Sequence, residues 1–185
     1  MRVIRRAEVG DARVVAAIYV ESWNRGFLGL MPSRSLTNTM VSRWERQLAL
    51  PHPHRWWVAE IDESVVGFAG IGPSRDPIQA HLGELDTIAV KPTHWRKGVG
   101  RALMSVAVAD LTADGYREAT VWTLRDYDRG RPSMRLLAGD WTAGHGTMDG
   151  RSDTAGLLGA LPEPGRSRQP VRRDSMPPSN FQRIG

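Results

Sequence analysis

The densest chemistry in the sequence lies between Val90 and Arg101. There Lys91-Pro-Thr-His-Trp-Arg-Lys-Gly-Val-Gly-Arg101 joins the end of a β-rich segment to the start of an amphipathic helical pattern. A helix N-terminus presents unpaired N–H groups and the positive end of the helix dipole. Gly98 and Gly100 let the backbone curl with no Cβ in the way, while Arg96, Lys97 and Arg101 add positive charge. Together these features make a cradle for a pyrophosphate. The loop is not a Walker A sequence, because no Gly-x-x-x-x-Gly-Lys-Ser/Thr is present. It is not a dinucleotide fingerprint either, because the third glycine is missing. A lone Gly-x-Gly is weak evidence, but its position between a strand and an amphipathic helix sets it apart from an ordinary strand-to-helix turn. His52, His54 and His81 fall in polar loops without metal-ligand spacing, and cysteine is absent. Metal sites, disulfides and a thiolate nucleophile are therefore not expected.

The elements that must position this loop are legible from pattern. Arg2–Arg6 reads as a strand, and Ala12–Trp23 as a helix with Val14, Val15, Ile18 and Ser22 at helical spacing. Gly10-Asp11 precedes that helix, with Asp11 expected to accept its first free N–H groups. A glycine- and aromatic-rich loop, Asn24–Pro32, leads to a second helix over Ser35–Leu50. Arg55–Ile61 and Val65–Ile71 form a hairpin around Asp62-Glu63-Ser64. Glu84–Val90 is a strand whose alternation places Leu85, Thr87 and Ala89 on one face and Glu84, Asp86, Ile88 and Val90 on the other. Pro92 ends it. Gly100–Asp114 is a helix closed by Gly115, and Glu118–Leu124 is the fifth strand. The order β-α-α-β-β-β-α-β is a mixed α/β layout.

The 185 residues amount to about one domain, long enough to bury a substantial core. No stretch is long and apolar enough to suggest a membrane span, and Met1–Glu8 has no apolar signal region, so a cytoplasmic location is expected. The net charge of +5 suits acidic or phosphorylated partners. With 23 arginines and two lysines, Lys91 and Lys97, coding bias accounts for the charge more simply than nucleic-acid binding does. Residues 132–185 differ from residues 1–131. Glycine and proline make up 14 of the last 54 residues against 17 of the first 131. From Ser152 onward no period of 2 or 3.6 is evident, so an atypical, largely disordered tail is expected.

From residue 1 to 131 the chain resembles the GNAT superfamily of acyl-CoA-dependent N-acetyltransferases. The strongest portion is Gly83-Glu-Leu-Asp-Thr-Ile-Ala-Val-Lys-Pro-Thr-His-Trp-Arg-Lys-Gly-Val-Gly-Arg-Ala-Leu-Met104. Where the family signature Gln/Arg-x-x-Gly-x-Gly/Ala begins, this chain has Trp95, with Arg96 one place later. The hairpin Trp57-Val-Ala-Glu-Ile…Val66-Gly-Phe-Ala-Gly and the loop Glu21-Ser-Trp…Gly26…Gly29-Leu-Met-Pro32 are also family-like. The resemblance implies a mostly antiparallel sheet flanked by helices, with Glu84–Val90 and Glu118–Leu124 splaying apart. Acetyl-CoA, as co-substrate and without a metal, would enter that gap. Its pantetheine arm would pair with the backbone of Ile88 and Val90 and its diphosphate would lie on the loop Arg96–Arg101, so the cofactor-binding residues are Ile88, Ala89, Val90, Trp95, Arg96, Lys97, Gly98, Val99, Gly100 and Arg101. An N–H near Val90 would face the developing oxyanion, and a carboxylate would take the proton of a primary amine on a small molecule or peptide. Glu84 is the leading base and Asp86 the alternative. A homodimer is a further candidate assembly, and neither nucleic acid nor membrane is expected as a partner.

The family's fifth strand leads into a helix carrying Phe-Tyr-Glu-x-x-Gly-Trp/Phe, whose tyrosine protonates the leaving thiolate. Here the chain reads Arg125-Asp-Tyr-Asp-Arg-Gly-Arg131 and then departs. Codons for Arg131–Asp140 exist whose offset frame reads Ala-Phe-Tyr-Glu-Ala-Thr-Gly-Trp-Arg, which points to a one-base frame change near codon 131. Tyr127 is then the nearest candidate acid. The loss of that helix and of the last two strands motivates an alternative reading, a catalytically impaired acyl-CoA-binding remnant.

Overall fold

The computed structural model describes residues 1–75, 81–124, 141–144 and 154–160. Among the described residues seven strands form one sheet: β1 (Arg2–Arg6), β2 (Arg55–Ile61), β3 (Ser64–Pro73), β4 (Gly83–Val90), β5 (Glu118–Leu124), β6 (Trp141–Gly144) and β7 (Thr154–Ala160), in the order β1-β2-β3-β4-β5-β7-β6. All neighbours are antiparallel except β4 and β5, which run parallel. The helices are α1 (Ala12–Gly26), α2 (Asn38–Leu48) and α3 (Val99–Ala113). The expected mixed, mostly antiparallel sheet flanked by helices is thus present.

Each face of the sheet buries its own apolar set. Strand alternation sends Trp57 and Ala59 of β2 toward α3, where they pack with Leu85, Leu103 and Leu111. It sends Trp56 and Val58 toward α1 and α2, where they meet Val15, Ile18, Trp44 and Phe68. Trp44 lies edge-on to both Trp56 and Phe68, at centroid distances of 5.2 and 5.0 Å. Such edge-to-face packing adds about 0.5–1.5 kcal/mol per pair beyond area burial.

Several local expectations are refined. Asp11 does not cap α1 with its side chain. Its carboxylate accepts from Arg5 at 2.8 and 2.9 Å and from the Glu8 N–H at 2.8 Å, closing a 3-10 turn. The long-range ion pair outcompetes the local cap. Helix α1 runs three residues past Trp23, because Phe27 stacks on Trp23 at 4.7 Å and its N–H reaches the Trp23 carbonyl. Helix α2 begins at Asn38 instead of Ser35, because Thr37 Oγ1 accepts the Met40 N–H as N-cap. The β2–β3 turn is shorter than expected: Asp62 and Glu63 both take positive φ, as a two-residue hairpin turn requires. Gly115 closes α3 as expected, at φ +87, and the Tyr116 N–H bonds the Leu111 carbonyl.

Two described strands fall in the segment that reads as a patternless tail. Strand β7 pairs with β5 along all seven residues, from Glu118↔Ala160 to Leu124↔Thr154, and β6 pairs with β7. Thr154–Ala160 carries alanine and glycine at four of its seven positions, so its strand character comes from the pairing and leaves no strong side-chain pattern in the sequence.

Candidate active site

The alternation expected along β4 is broken by a β-bulge. Ile71 pairs with Leu85 and Gly70 with Thr87, leaving Asp86 opposite no residue of β3. The extra residue resets the parity, so Leu85 shares the α3 face with Ile88 and Val90 while Ala89 packs with α1 and α2. The expected grouping of Leu85 with Thr87 and Ala89 is therefore corrected. A bulge of this kind bends a strand and re-aims its side chains, a feature over-represented beside active sites.

The bulge sits where β4 and β5 part. Their parallel ladder holds only Gly83↔Ala119, Glu84↔Thr120 and Leu85↔Val121. Beyond Leu85, β4 stays paired with β3 but, among the described residues, no longer with β5. The Lys91 N–H donates to the Val66 carbonyl at 2.8 Å, and bonded and non-bonded pairs alternate along an antiparallel ladder. Ala89 therefore turns its N–H and C=O to Phe68 on β3, whereas Ile88 and Val90 turn theirs into the gap. The backbones of Ile88 and Val90, which the resemblance pairs with the pantetheine arm, face the gap, and that of Ala89, also expected at the cofactor, is committed to the sheet.

The Val90 carbonyl is already used. Trp95 Nε1 donates to it at 2.6 Å, and the half-buried indole packs on the core beneath α3. The residue that departs from the family signature thus ties the loop to the strand end, leaving the Val90 N–H facing the gap. The loop itself runs through a 3-10 turn, Pro92–His94, and then through Arg96 at φ +61 and Gly98 at φ +80. Gly98 is the N-cap of α3 and has no side chain to satisfy the helix's first N–H groups. Val99 is 1% exposed and anchors the helix start in the core. Gly100 leaves room, since a Cβ there would meet only Val90 Cγ2, at 3.8 Å. Arg96, Lys97 and Arg101 are exposed and pair with no carboxylate among the described residues.

One cation escaped the sequence reading. Arg2 of β1 reaches across so that its Nη1 lies 3.3 Å from where a Cβ of Gly98 would be. Alternation along β1 directs Ile4 into the core under α3, Arg6 onto the Trp57 ring at 4.8 Å and toward Asp110 at 3.8 Å near the helix's far end, and Arg2 to its start. No local signal pairs residues 2 and 98; the register of β1 on β2 does.

The two candidate carboxylates have different surroundings. Glu84 is 1% exposed; it accepts the Arg75 backbone N–H at 2.8 Å and Nε at 2.7 Å, with Nη2 also in contact. Asp86, at the bulge, is half-buried and accepts from Thr87 Oγ1 at 2.9 Å. Tyr19 on α1 packs in the same cluster as Ala89 of β4; burial pushes its hydroxyl above the ordinary range, with a smaller push from Asp86, while Arg34 and Arg43 pull it back. The loop after α1 is fastened to that helix: Trp23 Nε1 donates to the Pro32 carbonyl at 3.0 Å, and the Asn24 side chain bonds both backbone groups of Arg34. Tyr127, the candidate acid, and residues 125–140, where the frame change was inferred, lie outside the described residues.

A splayed parallel pair, an open strand edge and a basic helix N-terminus define an acyl-CoA-dependent transferase architecture. A family model described as the acetyltransferase (GNAT) family matches residues 16–137, and the chain belongs to that family. Among curated relatives, the uncharacterised N-acetyltransferase YuaI of Bacillus subtilis (strain 168) is 28% identical over 125 residues, covering 67% of this chain and 72% of YuaI. Solved structures of the same fold include the PaiA N-acetyltransferase of Thermoplasma acidophilum in complex with coenzyme A. Its TM-score is 0.67 at 16% identity, covering 87% of this chain and 99% of that one. YncA of Salmonella typhimurium, solved with its cofactor acetyl-CoA, gives a TM-score of 0.62 at 18% identity, covering 89% and 96%. No helix among the described residues is long and apolar enough to cross a membrane.

Proposed function

We propose that this chain transfers an acetyl group from acetyl-CoA to a primary amine of a small molecule or peptide. The observation that carries this reading is the end of the β4–β5 ladder at Leu85↔Val121, with the backbones of Ile88 and Val90 open into the gap beside a basic helix start. These residues fit the two ends of the co-substrate. Ile88 N–H and C=O would hold the amide-bearing arm. The first N–H groups of α3, with Arg96, Lys97, Arg101 and Arg2, would hold the phosphates. Acetyl-CoA supplies a thioester carbonyl open to attack.

The chain's own groups then divide the work. A fixed N–H aimed where charge develops lowers a barrier with no reorganisation, and the Val90 N–H fills that role. Proton acceptance falls to Asp86, whose carboxylate is bonded only to Thr87 among the described residues. Glu84 has both oxygens occupied by Arg75 and serves to fasten residues 74–75 to the sheet. The binding-only alternative rested partly on the loss of the last two strands, and β6 and β7 are present. The test is thiol release from acetyl-CoA by the full-length chain across a panel of primary amines, with mass detection of the acetylated product. Amine-dependent release supports the reading, and release that ignores every amine contradicts it.

A further inference from the structure

The acceptor side of the site carries a charge arrangement that acetyl-CoA does not use. The Arg34 guanidinium lies 3.6 Å over the Trp23 ring and 5.3 Å from the Tyr19 ring centroid. Tyr19 in turn packs on Trp23 at 5.9 Å and on Trp44 at 5.5 Å. The Asn24 side chain fixes the Arg34 backbone through bonds of 2.7 and 2.9 Å. Both the backbone and the head of this arginine are therefore held in place, and a stacked guanidinium keeps its N–H edge free for a planar anion. The field at the Tyr19 hydroxyl also includes the positive charge of the exposed Arg43 on α2 and the negative charge of Asp86 at the bulge.

None of these three charges forms an ion pair with another or with any further group among the described residues. Tyr19 packs in the same cluster as Ala89 of β4, so the positive Arg34 stack lies against the strand that carries the negative Asp86. A half-buried charge held by packing alone would gain from a ligand that completes it.

We infer that the acceptor is a small zwitterion of the amino-acid kind, its amine received at Asp86 and its carboxylate read by Arg34, with Arg43 in support. This rests on the acetyltransferase reading and narrows it. The amine end would lie nearest the open strand edge at Ile88 and Val90, and the carboxylate end nearest the α1–α2 loop. A peptide longer than a few residues would place its carboxylate too far away to use Arg34.

The test compares matched pairs that differ only in the carboxylate: L-phenylalanine with phenethylamine, L-histidine with histamine, and L-lysine with cadaverine. Thiol release by the full chain at saturating acetyl-CoA is measured for each, together with the thermal shift each compound gives to the acetyl-CoA-loaded protein. At least one amino acid is expected to exceed its decarboxylated partner in kcat/KM by about tenfold or more, or to stabilise the protein where its partner does not. Arg34→Gln is expected to remove that preference while leaving the decarboxylated amine within about threefold, and Arg34→Lys to keep part of it. Equal use of both members of every pair with no difference in stabilisation, or a preference for the decarboxylated amine throughout, overturns the inference. So does an equal loss for both members of a pair in the Arg34→Gln protein. Failure of acetyl-CoA itself to bind overturns the acetyltransferase reading instead, so the two failures are distinguishable.

Discussion

Replacing Gly98 with alanine tests the loop geometry through a number the structure supplies. Gly98 sits at φ +80 and ψ 1, in the left-handed region. There an L-residue costs roughly 1–2 kcal/mol because its Cβ crowds the backbone. The added Cβ would also meet Arg2 Nη1 at 3.3 Å, but that is the far end of a flexible side chain and can move aside. The backbone cost therefore dominates. For a chain of this size it corresponds to a fall in Tm of about 2–8 °C. A relaxed loop would also lose register with a bound diphosphate, expected to weaken CoA affinity about tenfold, the worth of roughly one charge-assisted bond. Gly98→Asn carries the same Cβ but tolerates the left-handed region better, so it should recover part of the Tm. Gly100→Ala is the contrasting control. Its Cβ meets only Val90 Cγ2 at 3.8 Å, and alanine is favoured over glycine in a helix by up to about 1 kcal/mol, so its Tm should hold or rise. Scanning fluorimetry reads the stabilities and calorimetric titration with CoA reads the affinities. An unchanged Tm for Gly98→Ala, or equal losses at both positions, would refute the reasoning.

Three further outcomes are expected. Asp86→Asn should lower kcat about 10²-fold at intact acetyl-CoA affinity, whereas Glu84→Gln should chiefly lower Tm through the loss of the Arg75 pair; the reverse pattern would restore Glu84 as the base. Arg2→Gln should raise the KM for acetyl-CoA several-fold, less so at high salt, and leave the KM for acetyl-pantetheine, which has no diphosphate, unchanged; equal effects on both would remove Arg2 from the phosphate site. The bonds from Arg5 hold the Asp11 carboxyl below the ordinary aspartate range, so its stabilising contribution is complete above the unfolded-state pKa and disappears as pH falls through the lower folded-state value. Asp11→Asn should therefore flatten the acid limb of a Tm-against-pH curve below about pH 4, and an unaltered limb would contradict the pairing.

Much of the scaffold is legible in the sequence because it is locally encoded. The strands Arg2–Arg6, Arg55–Ile61 and Glu118–Leu124 are found at the expected boundaries, and the placement of Gly98 and Gly100 between a strand and a helix is likewise read without any tertiary information. What escaped was set by pairing across the chain. The bulge at Asp86 depends on how Gly70 and Ile71 register on β4, and nothing in Glu-Leu-Asp-Thr-Ile announces it. Arg2 reaches Gly98 only through the β1–β2 register. Asp11 resembles a helix cap until Arg5 is folded against it. Strand β7, rich in glycine and alanine, takes its order from β5.

The central claim is that the gap between β4 and β5, with the loop after β4, binds acetyl-CoA. Calorimetric titration of the full-length chain with acetyl-CoA, run beside acetyl-pantetheine, tests it most directly. The account expects one-to-one binding of acetyl-CoA in the micromolar range, much weaker binding of acetyl-pantetheine, and loss of most of that difference in the Gly98→Ala protein. Protein that is folded by circular dichroism yet takes up no acetyl-CoA, or binds both compounds alike, would contradict it.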